Sequence, residues 1–145
     1  MTPTARSLSA VLAVLVAATA VLLSSAGSAD ARTYTGQPAG GAISLKVQRG
    51  HLKQLATRLP AVCQNNHGGS WRSNLQINLS GDLPLRAGRF SLQGRAQNQV
   101  RFQVAGRLRG GTISGRIRLT YLDLDYVGYD DSYLCDTSTL RIRAR

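Results

Sequence analysis

The feature that most limits the fold is a run of alternating residues, Gln99 to Leu122, broken near its middle by Gly110-Gly111. Alternation of apolar and polar side chains puts one set on each face of a β-strand. Two successive glycines suit the two-residue turn that reverses such a strand, because both central residues need positive φ. The turn sets the register, with Arg109 facing Thr112. One face then brings Leu108 opposite Ile113, Val104 opposite Ile117, Phe102 opposite Leu119 and Val100 opposite Tyr121. The other brings Arg107 opposite Ser114, Ala105 opposite Arg116, Gln103 opposite Arg118 and Arg101 opposite Thr120. Within the hairpin no arginine faces another, as cross-strand repulsion favours. A slip of one residue would turn the apolar set to solvent. Gly106 falls opposite Gly115 on the apolar face and leaves a notch. A ring of Trp71, Phe90 or a tyrosine is expected to fill it from a facing sheet, the alternative being a ligand slot.

The same period recurs along the chain. Ile43, Leu45 and Val47 alternate with Ser44, Lys46 and Gln48; Trp71, Leu75, Ile77 and Leu79 share one phase against Arg72, Asn74, Gln76 and Asn78. Phe90 and Leu92 alternate with Arg89, Ser91 and Gln93, and Leu140, Ile142 and Ala144 with Arg141, Arg143 and Arg145. Residues 51–59 fit two periods. Leu52, Leu55, Ala56 and Leu59 have helical spacing, while Leu55, Thr57, Leu59, Ala61 and Cys63 alternate as a strand. Arg49-Gly50, which reads as a hairpin turn, favours the strand. Together these patterns predict an all-β fold: an antiparallel β-sandwich or flattened barrel of about seven or eight strands.

Residues 1–31 have a different character. Arg6 supplies one positive charge, Val11 to Leu23 is unbroken apolar or small residues, and small residues lead on to Ala29-Asp30-Ala31. That is the layout of a secretory signal peptide with an A-x-A cleavage site after Ala31. The apolar run is shorter than the ~20 residues a membrane-spanning helix needs. The expected functional unit is therefore one β domain, residues 32–145, secreted or held in the periplasm or cell envelope. No transmembrane segment is expected after cleavage. In an oxidising compartment the two cysteines, Cys63 and Cys135, are most simply one disulfide. There is no C-x-x-C spacing to suggest redox or metal chemistry.

Tyr34-Thr35-Gly36, Ile43-Ser44-Leu45-Lys46-Val47, Cys63, Gly88-Arg89-Phe90-Ser91, Gly106, Ile113-Ser114-Gly115-Arg116-Ile117 and Cys135 form a wider pattern. In these positions the chain resembles a group of small exported bacterial proteins of uncharacterised function. The resemblance spans most of residues 32–145 and implies a shared β-fold with a bridging disulfide. It implies no activity, and apart from Cys135 the stretch from Tyr121 to Asp136 lies outside it.

The formal net charge is +11, from 18 Lys and Arg against 7 acidic residues, every one an aspartate. Arg101, Arg107, Arg109, Arg116 and Arg118 share the polar face of the central hairpin and form the candidate anion-binding site. In an exported protein the fitting partners are polyanions: acidic envelope polymers, acidic polysaccharide, phospholipid headgroups or extracellular DNA. The face lacks the interleaved rings of a single-strand stacking platform. Five of the aspartates cluster between Asp123 and Asp136, together with several tyrosines. Tyr126, Tyr129, Asp130, Asp131 and Tyr133 are the candidate contacts of this segment with a protein or sugar partner. A calcium-loop count started at Asp123 fits Asp125, Gly128 and Asp131 but fails at Val127 and Leu134, so no metal site is assigned. His67-Gly68-Gly69-Ser70 has no G-x-S-x-G elbow to accompany it and reads as a turn between strands. No cofactor and no enzymatic activity are expected. N-terminal sequencing of the protein recovered from medium or periplasm should begin near Arg32; intact Met1 in the membrane fraction would replace the signal peptide with an anchor.

Overall fold

The computed structural model describes residues 30–124 and 132–145. The signal-peptide segment therefore lies almost wholly outside the described residues. Nine strands run through them in chain order: β1 Arg32–Gly36, β2 Ala42–Gln48, β3 His51–Asn65, β4 Ser70–Pro84, β5 Arg89–Arg95, β6 Arg101–Arg109, β7 Thr112–Asp123, β8 Tyr133–Asp136 and β9 Leu140–Ala144. A short turn at Pro38–Gly40 links β1 to β2. All pairings are antiparallel. The fold is the predicted all-β class, with nine strands in one continuous sheet that its ladders do not close.

Tight turns explain much of the order. Gly110 and Gly111 both have positive φ, 55° and 71°, and the β6–β7 register pairs Arg109 with Thr112 and Arg101 with Thr120 as expected. Arg49-Gly50 makes the same kind of turn, with φ of 51° and 72°, between Gln48 and His51. Residues 51–59 are strand throughout. The helical spacing there loses because β3 is paired on both edges, and packing outweighs local propensity.

Two long strands organise the sheet. β4 runs along one edge of β3, while β2 takes His51–Arg58 on the other edge and β8 takes Val62–Asn65. Pro60, which has no N–H to donate, stands where that edge changes partner. β7 shares its edge in the same way: β9 pairs with Ile113–Ile117 and β8 with Thr120–Asp123. At the gap Thr137 takes over from the ladder. Its N–H donates to the Leu119 carbonyl at 3.0 Å and its hydroxyl accepts from the Leu119 N–H at 2.9 Å. β8 thus lies between β3 and β7, and Cys63 and Cys135 are directly opposed across the β3–β8 ladder and disulfide-bonded. Their sequence separation of 72 makes the bond worth about 4 kcal/mol on a chain-entropy argument. A second link is narrow: the Thr35 and Arg145 backbones exchange two hydrogen bonds of 2.9 and 3.0 Å, joining β1 to the end of β9.

The inner face forms one core drawn from both halves of the sheet. Leu45, Leu55 and Leu59 meet Ile113, Ile117 and Leu119 there, all six fully buried. The notch at Gly106 and Gly115 is real and occupied, but not from a facing sheet. Phe90 is the partner of Gly106 in the β5–β6 ladder, and its ring covers the place where a Gly106 Cβ would stand. Trp71 stays 41% exposed elsewhere. A Cβ on Gly115 would run into the Ala105 carbonyl and lie 2.7 Å from the Gly106 Cα, both of them backbone atoms. Gly81 has open space around its missing side chain. Gly115→Ala should therefore lower the unfolding free energy by about 2 kcal/mol or more. Gly81→Ala should stay within ~0.5 kcal/mol of the parent in the same denaturant titration.

Candidate functional site

The outer face of β5, β6, β7 and β9 carries the basic site. Opposed residues in an antiparallel ladder share a face, so the register can be read straight across the strands. One row runs Arg89, Arg107, Ser114, Arg143; the next runs Ser91, Ala105, Arg116, Arg141. A third runs Gln93, Gln103, Arg118, and a fourth Arg95, Arg101, Thr120, Asp136. Arg109 extends the face opposite Thr112. All of these arginines are exposed. The five arginines expected from sequence are brought together, and Arg89, Arg95, Arg141 and Arg143 join them. These four were visible in the polar phases of their own strands. What local pattern lacked was the lateral order that lays β5 and β9 on either side of the hairpin.

That order changes the electrostatics. Within the β6–β7 hairpin no arginine faces another. Across the two flanking ladders three pairs do: Arg89 with Arg107, Arg95 with Arg101, and Arg116 with Arg141. Like charges directly opposed destabilise a sheet, by an amount that solvent and salt reduce. Among the described residues Asp136 is the carboxylate set in these rows. It accepts hydrogen bonds from both Nε (3.1 Å) and Nη2 of Arg118 and from the Ser138 N–H at 2.7 Å. The Arg118 hydrogen bond holds the Asp136 carboxyl below its ordinary range, burial opposing it and Ser138 assisting. The same bond raises the Arg118 pKa. Asp82 is engaged elsewhere, with His51 at 2.6 Å and Lys53 at 2.8 Å on the β3–β4 pair.

The aromatic segment is placed only in part. Tyr126, Tyr129, Asp130 and Asp131 lie outside the described residues. The segment is not one loop, since Tyr121 to Asp123 continue β7 and Tyr133 to Asp136 form β8. Tyr133 lies on the inner side with its ring centroid 5.5 Å from Trp71 and 5.8 Å from Tyr121. Burial pushes its hydroxyl pKa up to about 12, helped by Tyr121 and Asp123 beside it. Trp71 was the missed member of this cluster. Its signal was its place opposite Cys63, which faces Cys135 in turn.

His67-Gly68-Gly69-Ser70 makes the β3–β4 connection, where the Asn65 side chain accepts from the Gly69 N–H at 2.6 Å. Among the described residues no three His, Cys, Asp or Glu side chains gather to hold a metal, and no helix is long and apolar enough to cross a membrane. The described chain is thus an all-β domain with a cross-strand disulfide and an arginine face. Comparison with known protein families, curated proteins and solved structures found no match to it.

The ion pair has a pH signature. Because the folded-state pKa of Asp136 is depressed, its contribution is fully present above the ordinary carboxylate pKa of about 3.9. It is lost as pH falls through the lower folded value. Unfolding midpoints measured from pH 6 down to about 2 should fall less steeply for Asp136→Asn than for the parent at the acid end. Parallel curves would show that the pair adds nothing.

Proposed function

We propose that residues 32–145 act as an exported, non-enzymatic binding module that associates with anionic envelope or extracellular polymers through the arginine face. The observation that carries this reading is the set of three directly opposed arginine pairs. Folding alone gains nothing from setting guanidinium against guanidinium. A polyanion lying across the strands would turn each repulsive pair into a clamp, since two guanidiniums can share one carboxylate, sulfate or phosphate. Asp136 neutralises only Arg118 directly, so the face keeps a strong excess of positive charge. The cross-strand disulfide supports an oxidising compartment, and the amino-terminal segment supports export.

A second reading makes the domain a structural, protein-binding or sugar-binding element that uses residues 121–136. The observation that favours it is the Trp71–Tyr133–Tyr121 cluster, whose tryptophan is exposed beside two partly buried tyrosine rings. Ionic strength separates the two, because polyanion binding weakens steeply with salt and an aromatic contact does so much less.

The test replaces Arg101, Arg107 and Arg116 together by Gln, sparing Arg118 because it holds Asp136. The variant should elute from a heparin column at clearly lower salt than the parent, with an unchanged or slightly raised melting temperature. Identical elution would reduce the face to an ordinary solvated surface.

A further inference from the structure

The arginine face is not uniform. At its β5–β6–β7 end it dips into an open depression of about 680 Å³. Two rows of the register meet there. Gln93, Gln103 and Arg118 form one, and Arg95, Arg101 and Thr120 form the other. Neighbouring strands lie about 4.8 Å apart and successive same-face residues about 6.7 Å apart. The block therefore offers three guanidiniums, two carboxamides and a hydroxyl over a patch about 10 Å by 7 Å. Gly94 and the buried Phe102 complete the lining.

The chemistry of the block is more selective than positive charge. A guanidinium only donates hydrogen bonds. The Gln93 and Gln103 carbonyl oxygens and the Thr120 hydroxyl add acceptors, and the two side-chain amides add further donors. Among the described residues neither carboxamide is engaged by another group. The Arg118 guanidinium is oriented by Asp136, and Arg95 donates to Gln99 at 3.2 Å, which steadies both cations at the margins. A ligand that matches this block must present anionic groups and, between them, hydroxyls that both donate and accept. A phosphate backbone presents acceptors alone, and the block has no exposed ring on which a base could stack.

We infer that the depression is a binding subsite for an acidic polysaccharide, its uronate carboxylates taken by Arg95, Arg101 and Arg118 and its ring hydroxyls by Gln93 and Gln103. The inference rests on the polyanion-binding reading of the face and names the polymer class. The arginines supply attraction common to all polyanions. The carboxamides supply the discrimination, because an unmatched amide on the bound surface loses its water without regaining a partner.

The experiment compares the intact protein with a Gln93→Met, Gln103→Met double variant, which keeps size and charge at both positions. Binding to polygalacturonate and to inorganic polyphosphate is measured by titration calorimetry at one fixed ionic strength. Circular dichroism and melting temperature establish that the variant is folded. The expected result is a loss of about tenfold in affinity for polygalacturonate, as removal of two neutral hydrogen bonds implies. Polyphosphate binding should change by no more than about twofold, being charge-driven. Equal effects on the two polymers, or none on either, would overturn the subsite while leaving the polyanion face standing. A parent protein that prefers polyphosphate would overturn it in favour of a phosphate polymer. A parent that binds neither would remove the polyanion reading itself.

Discussion

Four residues, Tyr133–Asp136, carry the connection on which the rest of the sheet depends. β8 is hydrogen-bonded to β3 on one edge and to β7 on the other, and each of those long strands anchors its own half of the sheet. A two-stranded attachment this short would be weak alone. It is reinforced at opposed positions by the Cys63–Cys135 bond, and extended by the Thr137 backbone and hydroxyl, which satisfy Leu119 after the ladder ends. The alternation of β8 also divides labour between its faces. Cys135 and Tyr133 look inward to the disulfide and the rings, while Asp136 looks outward and fixes Arg118. Core and basic face are thus held in register by the same strand.

Most of the local structure was legible, and for a definable reason. Period-two alternation and glycine pairs at positive φ act over a few residues, so the β6–β7 pairing could be derived residue by residue before any three-dimensional information. The same logic gave β2, β4 and β9. What was not legible was lateral. Nothing in Arg141 says that its strand will flank the hairpin, because that relation is set by how β7 divides its edge between β9 and β8. The pairing of Arg89 with Arg107 depends on the β5–β6 register, which no two-residue glycine turn announces. β8 was hidden as well. Its four residues lie in a tyrosine- and aspartate-rich stretch, which reads as loop until Cys135 is seen paired. The glycine notch was foreseen, yet the direction from which Phe90 fills it required the β5–β6 register.

The outer face and the core make opposite demands on one set of strands. From Phe102 to Leu108 in β6 and from Ile113 to Tyr121 in β7, each inward residue is a buried or partly buried aliphatic, aromatic or glycine, which leaves little room for register error. The outward residues then become neighbours whether or not their charges agree. Three arginine pairs are the result, and they persist because the inner face overrides them: burying a Leu or Ile side chain is worth roughly 1.5–3 kcal/mol. An opposed exposed pair contributes roughly 0.2–1 kcal/mol against it. The domain can therefore keep an electrostatically strained surface without risk to its fold, provided the apolar alternation beneath is intact.

The two hydrogen bonds between Thr35 and Arg145 have a consequence for topology. They set the first strand and the last residue of this unit side by side, so that a few linking residues could bridge them. The turn at Gly110-Gly111 is exposed and makes no side-chain contact, which suits it to serve as a new pair of ends. A circularly permuted chain opened there would retain each ladder of the sheet while placing the basic strands β6 and β7 at opposite termini. The arginine face would then be assembled from the two ends of the polypeptide instead of from one hairpin. Its order would rest on long-range pairing alone, and its folding would be slower for that reason.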